Sequence, residues 1–123
     1  MTTDRQQLGR AGECLAAGAL QQAGYRILAR NYRNRLGEID IIAKDGDTLV
    51  FAEVKSRRSN RFGSPKLAVT TAKQRKMSRT ALLYLKACGQ TAVKARFDVI
   101  AVDTTGPAPR VEVVKNAFDL QPG

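Results

Sequence analysis

The chain has 123 residues, 26% of them charged and 43% in the hydrophobic class, with a formal net charge of +10. That is the size and balance of a single domain (1–123) with a modest core. It contains no histidine, which excludes His-based metal sites, Ser-His-Asp and Cys-His nucleophiles and histidine general bases in one step. Any hydrolytic chemistry would have to rest on carboxylates, lysine and a bound metal.

Met1–Gln7 is polar, and no run in the sequence is long enough for a signal peptide or a membrane span. The expectation is a cytoplasmic protein with no membrane partner. Thr2, Thr3 and Asp4 offer N-caps to a first helix. From Leu8 the apolar positions Ala11, Leu15, Ala19 and Ala23 recur at helical spacing until Gly24 stops them. Residues 1–7 read as a flexible end. Glu13 lies near the edge of this stripe, where a surface glutamate is the plainest reading. A helix packed on a sheet could equally bring it towards acids on the strands. Cys14 and Cys88 match no metal or redox spacing and sit beside apolar neighbours, as small buried thiols would.

Tyr25–Arg33 reads as a first strand. Arg30, Arg33 and Arg35 follow closely, able to touch phosphates or simply to face water. Leu36–Lys44 and Thr48–Ser56 are two apolar strands joined through Asp45-Gly46-Asp47, a strong hairpin signal. Residues two apart on a strand share a face, roughly 7 Å from each other. Glu53 and Lys55 therefore point one way. A two-residue loop at Asp45-Gly46 sets Asp40 opposite Phe51, and a four-residue loop sets it opposite Glu53. Either register puts Asp40, Glu53 and Lys55 on one face. The second strand of the hairpin is apolar on both faces, as a central strand covered on both sides would be.

Arg57–Ser64 is a basic loop with Phe62 and Gly63, read as mobile. Thr71 and Gln74 make a capping-box signal for a helix running to about Cys88 and ending at Gly89. Its first two turns carry Lys73, Arg75, Lys76 and Arg79, although cations at this end oppose the helix macrodipole. A bound anion would explain them. More broadly, residues 54–97 hold twelve Lys or Arg and no acid. Such a block predicts a polyanionic partner, nucleic acid, with Arg57, Arg58, Arg61, Lys73, Arg75, Lys76 and Arg79 as its contacts. Lys94–Asp103 is a further strand. Gly106–Pro109 turns the chain, Arg110–Val114 is a short final strand, and 116–123 reads as a flexible tail.

Asp40 and Glu53 on one face would raise each other's pKa unless a cation lay between them. Lys55 supplies part of that charge. Mg²⁺ (or Mn²⁺) suits the rest, since it takes one or two carboxylates and keeps water or phosphate oxygens. The same residues would also make a structural salt bridge, and their spacing does not separate the two readings.

The wider pattern resembles a known family. Gly12-Glu13, Gly37-Glu38-Ile39-Asp40-Ile41-Ile42-Ala43, Phe51-Ala52-Glu53-Val54-Lys55, Lys73-Gln74 and Arg96-Phe97-Asp98-Val99 together are similar to the YraN family. These are uncharacterised bacterial proteins regarded as endonucleases of the restriction-endonuclease-like PD-(D/E)xK superfamily, related to archaeal Holliday-junction resolvases. The resemblance implies an α/β fold with a restriction-endonuclease-like core: a mixed central β-sheet flanked by helices, in the order αβββαβ. It implies metal ligation by Asp40, Glu53, the Val54 carbonyl and Glu13, with Lys55 as the catalytic lysine and Gln74 as the matching polar residue of the second helix. The function implied is Mg-dependent hydrolysis of DNA phosphodiester bonds, with branched DNA such as Holliday junctions as substrate. One site per chain acting on two strands points to a homodimer. Ile39 stands where a proline often precedes the aspartate. The alternative is a non-catalytic nucleic-acid-binding module that keeps the nuclease fold.

Overall fold

The structure, a computed structural model, describes residues 4–57, 69–89 and 93–120, with side chains from Ala11 onward and without that of Arg57. The elements run α1 (Asp4–Gln22), β1 (Arg26–Asn34), β2 (Gly37–Asp45), β3 (Thr48–Arg57), α2 (Thr71–Ala87), β4 (Lys94–Asp103) and β5 (Arg110–Phe118). The strands form one mixed sheet in the spatial order β1-β2-β3-β4-β5. The β3–β4 pair is parallel because α2 carries the chain back across the sheet, and the other pairs are antiparallel. This is the expected αβββαβ core with one more strand. No described helix is long and apolar enough to cross a membrane.

Each face of the sheet carries its own core. Ala16, Ala17 and Leu20 of α1 pack with Ile41, Ala43, Val50, Ala52, Ile100 and Val102 on one face. Met77, Ala81 and Leu85 of α2 pack with Ile39, Ile42, Leu49, Phe51, Phe97 and Val99 on the other. The apolar pattern of β3 on both sides follows from its central place, with Leu49 and Phe51 on the α2 side and Val50 and Ala52 on the α1 side.

Several expectations need correction. The last strand runs on to Phe118, so 116–118 belong to β5 and not to a tail. Ala117 and Phe118 are buried, and the Phe118 ring stacks on Phe97 with centroids 4.8 Å apart. Helix α1 begins at Asp4, within the stretch read as a flexible end. Both cysteines are exposed: Cys14 falls off the buried side of α1, and Cys88 is the C-cap just past the end of α2. The N-cap of α2 is Thr70, whose Oγ1 accepts the Lys73 N–H at 3.2 Å, and not Thr71. Of the basic loop, residues 58–64 lie outside the described residues.

Candidate active site

The β2–β3 hairpin turns on Gly46 and Asp47, with Asp45 paired to Thr48. Gly46 has φ +62°, as the first central residue of a type II′ turn requires. From there the ladder runs to Ile41 opposite Ala52 and ends. The same register carried one step further sets Asp40 level with Glu53. At that step β2 departs from a regular strand. Ile39 and Ile41 are two residues apart yet lie in opposite cores, so the strand turns over at Asp40. The neighbouring strand turns with it: Arg30 pairs with Ile41, Tyr32 with Ile39, and Asn31 between them has φ +54°.

Where the ladder stops, the Asp40 side chain takes over. Its Oδ2 accepts the Val54 N–H at 2.8 Å. The three side chains thus converge where β2 leaves β3, not on one uninterrupted strand face. Glu53 is buried, and its Oε1 pairs with the Lys55 ammonium at 3.4 Å and with the ammonium of Lys73 from α2.

Burial and then the Glu53 charge push the Asp40 carboxyl up to about 7, with Glu13 and a hydrogen bond shared with Glu53 adding to them and the Val54 N–H opposing. Glu13 therefore reaches the acidic cluster by its field. Gly12 is where α1 comes nearest β3, since a Cβ there would meet Ser56 Oγ in its present rotamer. Burial opposes the Lys73 charge, but the bond to Glu53 and the fields of Glu53, Asp40 and Glu38 outweigh it and hold the ammonium above the usual lysine range.

The remaining expected residues divide. Gln74 donates its side-chain N–H to the Val69 carbonyl at 3.0 Å, tying the start of α2 to the segment before it. Arg75, Lys76 and Arg79 are exposed along α2. Arg57 ends β3, and Arg58 and Arg61 lie outside the described residues. Arg96, counted in the basic block, faces inward: it binds Asp98 at 3.0 Å and Asp45 at 2.9 Å. Lys73, expected among the nucleic-acid contacts, instead meets the central carboxylate. Its position three residues after a Thr N-cap was the available signal, since it sets Lys73 in the first turn beside the sheet.

Among the described residues, no three Asp, Glu or Cys side chains close into a metal cage. The donors at hand are the carboxylates of Asp40 and Glu53 and the carbonyl of Val54, the residue whose N–H binds Asp40. An all-oxygen set of this size fits Mg²⁺ or Mn²⁺, which keep much of their shell as water. Burial first and then the Glu53 charge lift Asp40, and a bound dication would offset both.

The profile of the uncharacterised protein family UPF0102 matches residues 12–102. The YraN family is this family. A UPF0102 protein of Syntrophus aciditrophicus (strain SB) is 51% identical over 121 residues, covering 98% of this chain and 95% of its own. One of Desulfosudis oleivorans is 54% identical over 119 residues, covering 97% and 95%. A third, of Geobacter sulfurreducens, is 54% identical over 114 residues, covering 92% and 89%.

Proposed function

The chain belongs to the UPF0102 family, and we propose that it is a Mg²⁺- or Mn²⁺-dependent endonuclease hydrolysing DNA phosphodiester bonds, with branched or structured DNA such as Holliday junctions as its substrate class. The observation that carries this reading is the convergence of Asp40, Glu53 and Lys55 at the splay between β2 and β3. Asp40, Glu53 and the Val54 carbonyl would hold the metal, with Glu13 on its acidic flank. When bound, the ion activates water and stabilises charge on the phosphoryl group.

The protein's own groups account for the rest. The Val54 N–H fixes one oxygen of Asp40, so the carboxylate is oriented before any ligand arrives. The Lys55 ammonium, held beside Glu53, can orient the attacking water and offset the charge that grows on the phosphate oxygens. Arg75, Lys76 and Arg79 present cations along α2 to the backbone of the substrate.

The test is a cleavage screen of purified protein on junction, flap, single-stranded and duplex DNA with Mg²⁺ or Mn²⁺. Cutting should vanish in Lys55→Ala while folding and binding persist. Cutting that survives this substitution belongs to a contaminant, and the mechanism falls with it.

A second reading, a non-catalytic nucleic-acid-binding module, is favoured by one observation: Lys55 and Lys73 already more than balance the charge of Glu53. It predicts salt-sensitive binding, no cleavage and no metal affinity. Calorimetric binding of Mn²⁺ that is lost in Asp40→Asn would rule it out.

A further inference from the structure

Beside the carboxylates, the turn between β1 and β2 and the first half of α2 enclose an open cleft of about 430 Å³, lined by Arg33, Asn34, Arg35, Glu38 and Lys76. We propose that this cleft is a second phosphate-binding site, which holds the nucleic-acid backbone a short step from the Asp40–Glu53 centre. The inference rests on the nucleic-acid part of the proposed function and not on cleavage.

The cleft is built rather than incidental. Asn34 organises the turn: its Nδ2 donates to the Tyr32 hydroxyl at 3.1 Å and to the Thr80 carbonyl of α2 at 3.2 Å, and its Oδ1 accepts the Leu36 N–H at 2.9 Å. Gly37 lets the turn lie against the helix, since a Cβ there would sit 2.7 Å from Thr80 Oγ1. The walls are thus fixed to each other with their cations facing solvent.

Charge in the cleft is unbalanced. Arg33 is neutralised by Glu38, Nε to Oε2 at 2.9 Å. Arg35 and Lys76 have no acidic partner among the described residues, which leaves two cations for an anion. Two links join the cleft to the centre. Lys73 and Lys76 are three apart on α2 and so are neighbours on the helix surface. Glu38 stands two residues before Asp40 on β2, roughly 7 Å along the strand, and its field acts on Lys73. That separation is close to the distance between neighbouring phosphates of one strand, which combines an axial rise of about 3.4 Å with their rotation about the helix axis. A backbone with one phosphate at the carboxylates would set another over Arg35 and Lys76.

The experiment measures binding of a labelled DNA junction and duplex to the full chain in EDTA across a salt series, which separates binding from cleavage. The double variant Arg35→Ala/Lys76→Ala should lower the slope of log K against log salt by about 1.8, two contacts at about 0.9 each, and weaken binding at least tenfold near 0.1 M salt. Arg35→Lys should keep the slope, and thermal midpoints should not move, because both side chains are exposed. A double variant with the wild-type slope overturns the proposal. So does millimolar inorganic phosphate that binds through Arg35 and Lys76 at constant ionic strength without displacing the DNA, which would mark a pocket for a free anion. Loss of slope without cleavage in the Mg²⁺ screen leaves the cleft standing and removes the nuclease reading. Cleavage with an unchanged slope does the reverse.

Discussion

Lys73 of α2 reaches across the helix–sheet interface to the buried carboxylate of Glu53, the same oxygen that holds Lys55 at 3.4 Å. Two ammonium groups on one carboxylate supply the charge that a metal would bring, so Lys73 competes with a metal for Glu53. Lys73→Met should therefore tighten Mn²⁺ binding about tenfold, the equivalent of roughly 1.4 kcal/mol. Its side chain is 42% exposed and Lys55 remains on Glu53, so solvent screening keeps the cost to the metal-free protein near 1–2 kcal/mol, below that of breaking a fully buried pair. Calorimetry and thermal unfolding of the same samples read both effects. Unchanged or weaker Mn²⁺ binding in the variant would sink the competition.

The Asp40 carboxyl gives the metal-free protein an unusual pH profile. Its pKa rises from 3.8 to about 7 on folding, so between these values the native state binds more protons than the unfolded one. The slope of unfolding free energy with pH is then negative, and stability from this group is full below about pH 4 and lost as pH rises through about 7. Asp40→Asn keeps a side-chain oxygen for the Val54 N–H and removes the charge. It should flatten the profile and stabilise the metal-free protein at pH 8 by about 1–3 kcal/mol. Thermal midpoints from pH 5 to 8 in EDTA check this. A wild-type midpoint no lower at pH 8 than at pH 5, with Asp40→Asn unchanged from wild type, would contradict it.

The site was legible in the sequence where local periodicity decides it. Glu53 and Lys55 are two apart on a strand, and period two puts them together in any register. The pairing of Asp40 with them depended on a device no periodicity carries: the turnover of β2 at Asp40, matched by Asn31 at positive φ on β1. Lys73 was visible as a cation near a helix start, but its target lay in the tertiary docking of α2. Arg96 looked like part of a basic surface because the acids that bind it lie outside the acid-free block, Asp98 just past its end and Asp45 well before its start. Charge runs describe a chain in line, while burial sorts charges by neighbours in space. The same gap hid the end of the last strand, since Ala117 and Phe118 follow a bulge at Asn116 that breaks the apolar alternation.

Asp98 is fully buried, and its carboxylate accepts from Arg96 Nε at 3.0 Å and from the Asn116 N–H at 2.9 Å, where the β4–β5 register shifts. Arg96 extends the network to Asp45 at the hairpin turn and lies over the Tyr25 ring. This cluster ties β4 to β5, to the end of β2 and to Tyr25 just before β1. Asp98→Ala leaves Arg96 Nε and the Asn116 N–H without their acceptor while Asp45 still holds the guanidinium, which should cost about 2–4 kcal/mol. Asp98→Asn, which can still accept from Asn116, should cost less. Denaturant unfolding compares them, and an alanine variant within about 1 kcal/mol of wild type would show the network to be dispensable.

Two glycines of α1 should respond in opposite directions. Gly18 has open space around its missing Cβ and lies within Asp4–Gln22, so Gly18→Ala adds helix propensity without a clash and should stabilise by about 0.5–1 kcal/mol. Gly12 faces Ser56 across the closest approach of α1 to β3. A single methyl there could be relieved by rotation of the serine hydroxyl, but the branched side chain of Gly12→Val could not. That variant must push α1 off the sheet, costing about 1–3 kcal/mol for overpacking plus the lower helix propensity of valine. The displacement also carries Glu13 away from Asp40, which removes one of the fields that raise the Asp40 carboxyl. Gly12→Val should therefore be less stable than wild type at every pH, and its stability should fall less steeply between pH 5 and 8. A thermal pH series on Gly12→Val and Gly18→Ala reads both changes, and a valine variant with the full wild-type pH slope would mean that α1 does not position Glu13 at the site.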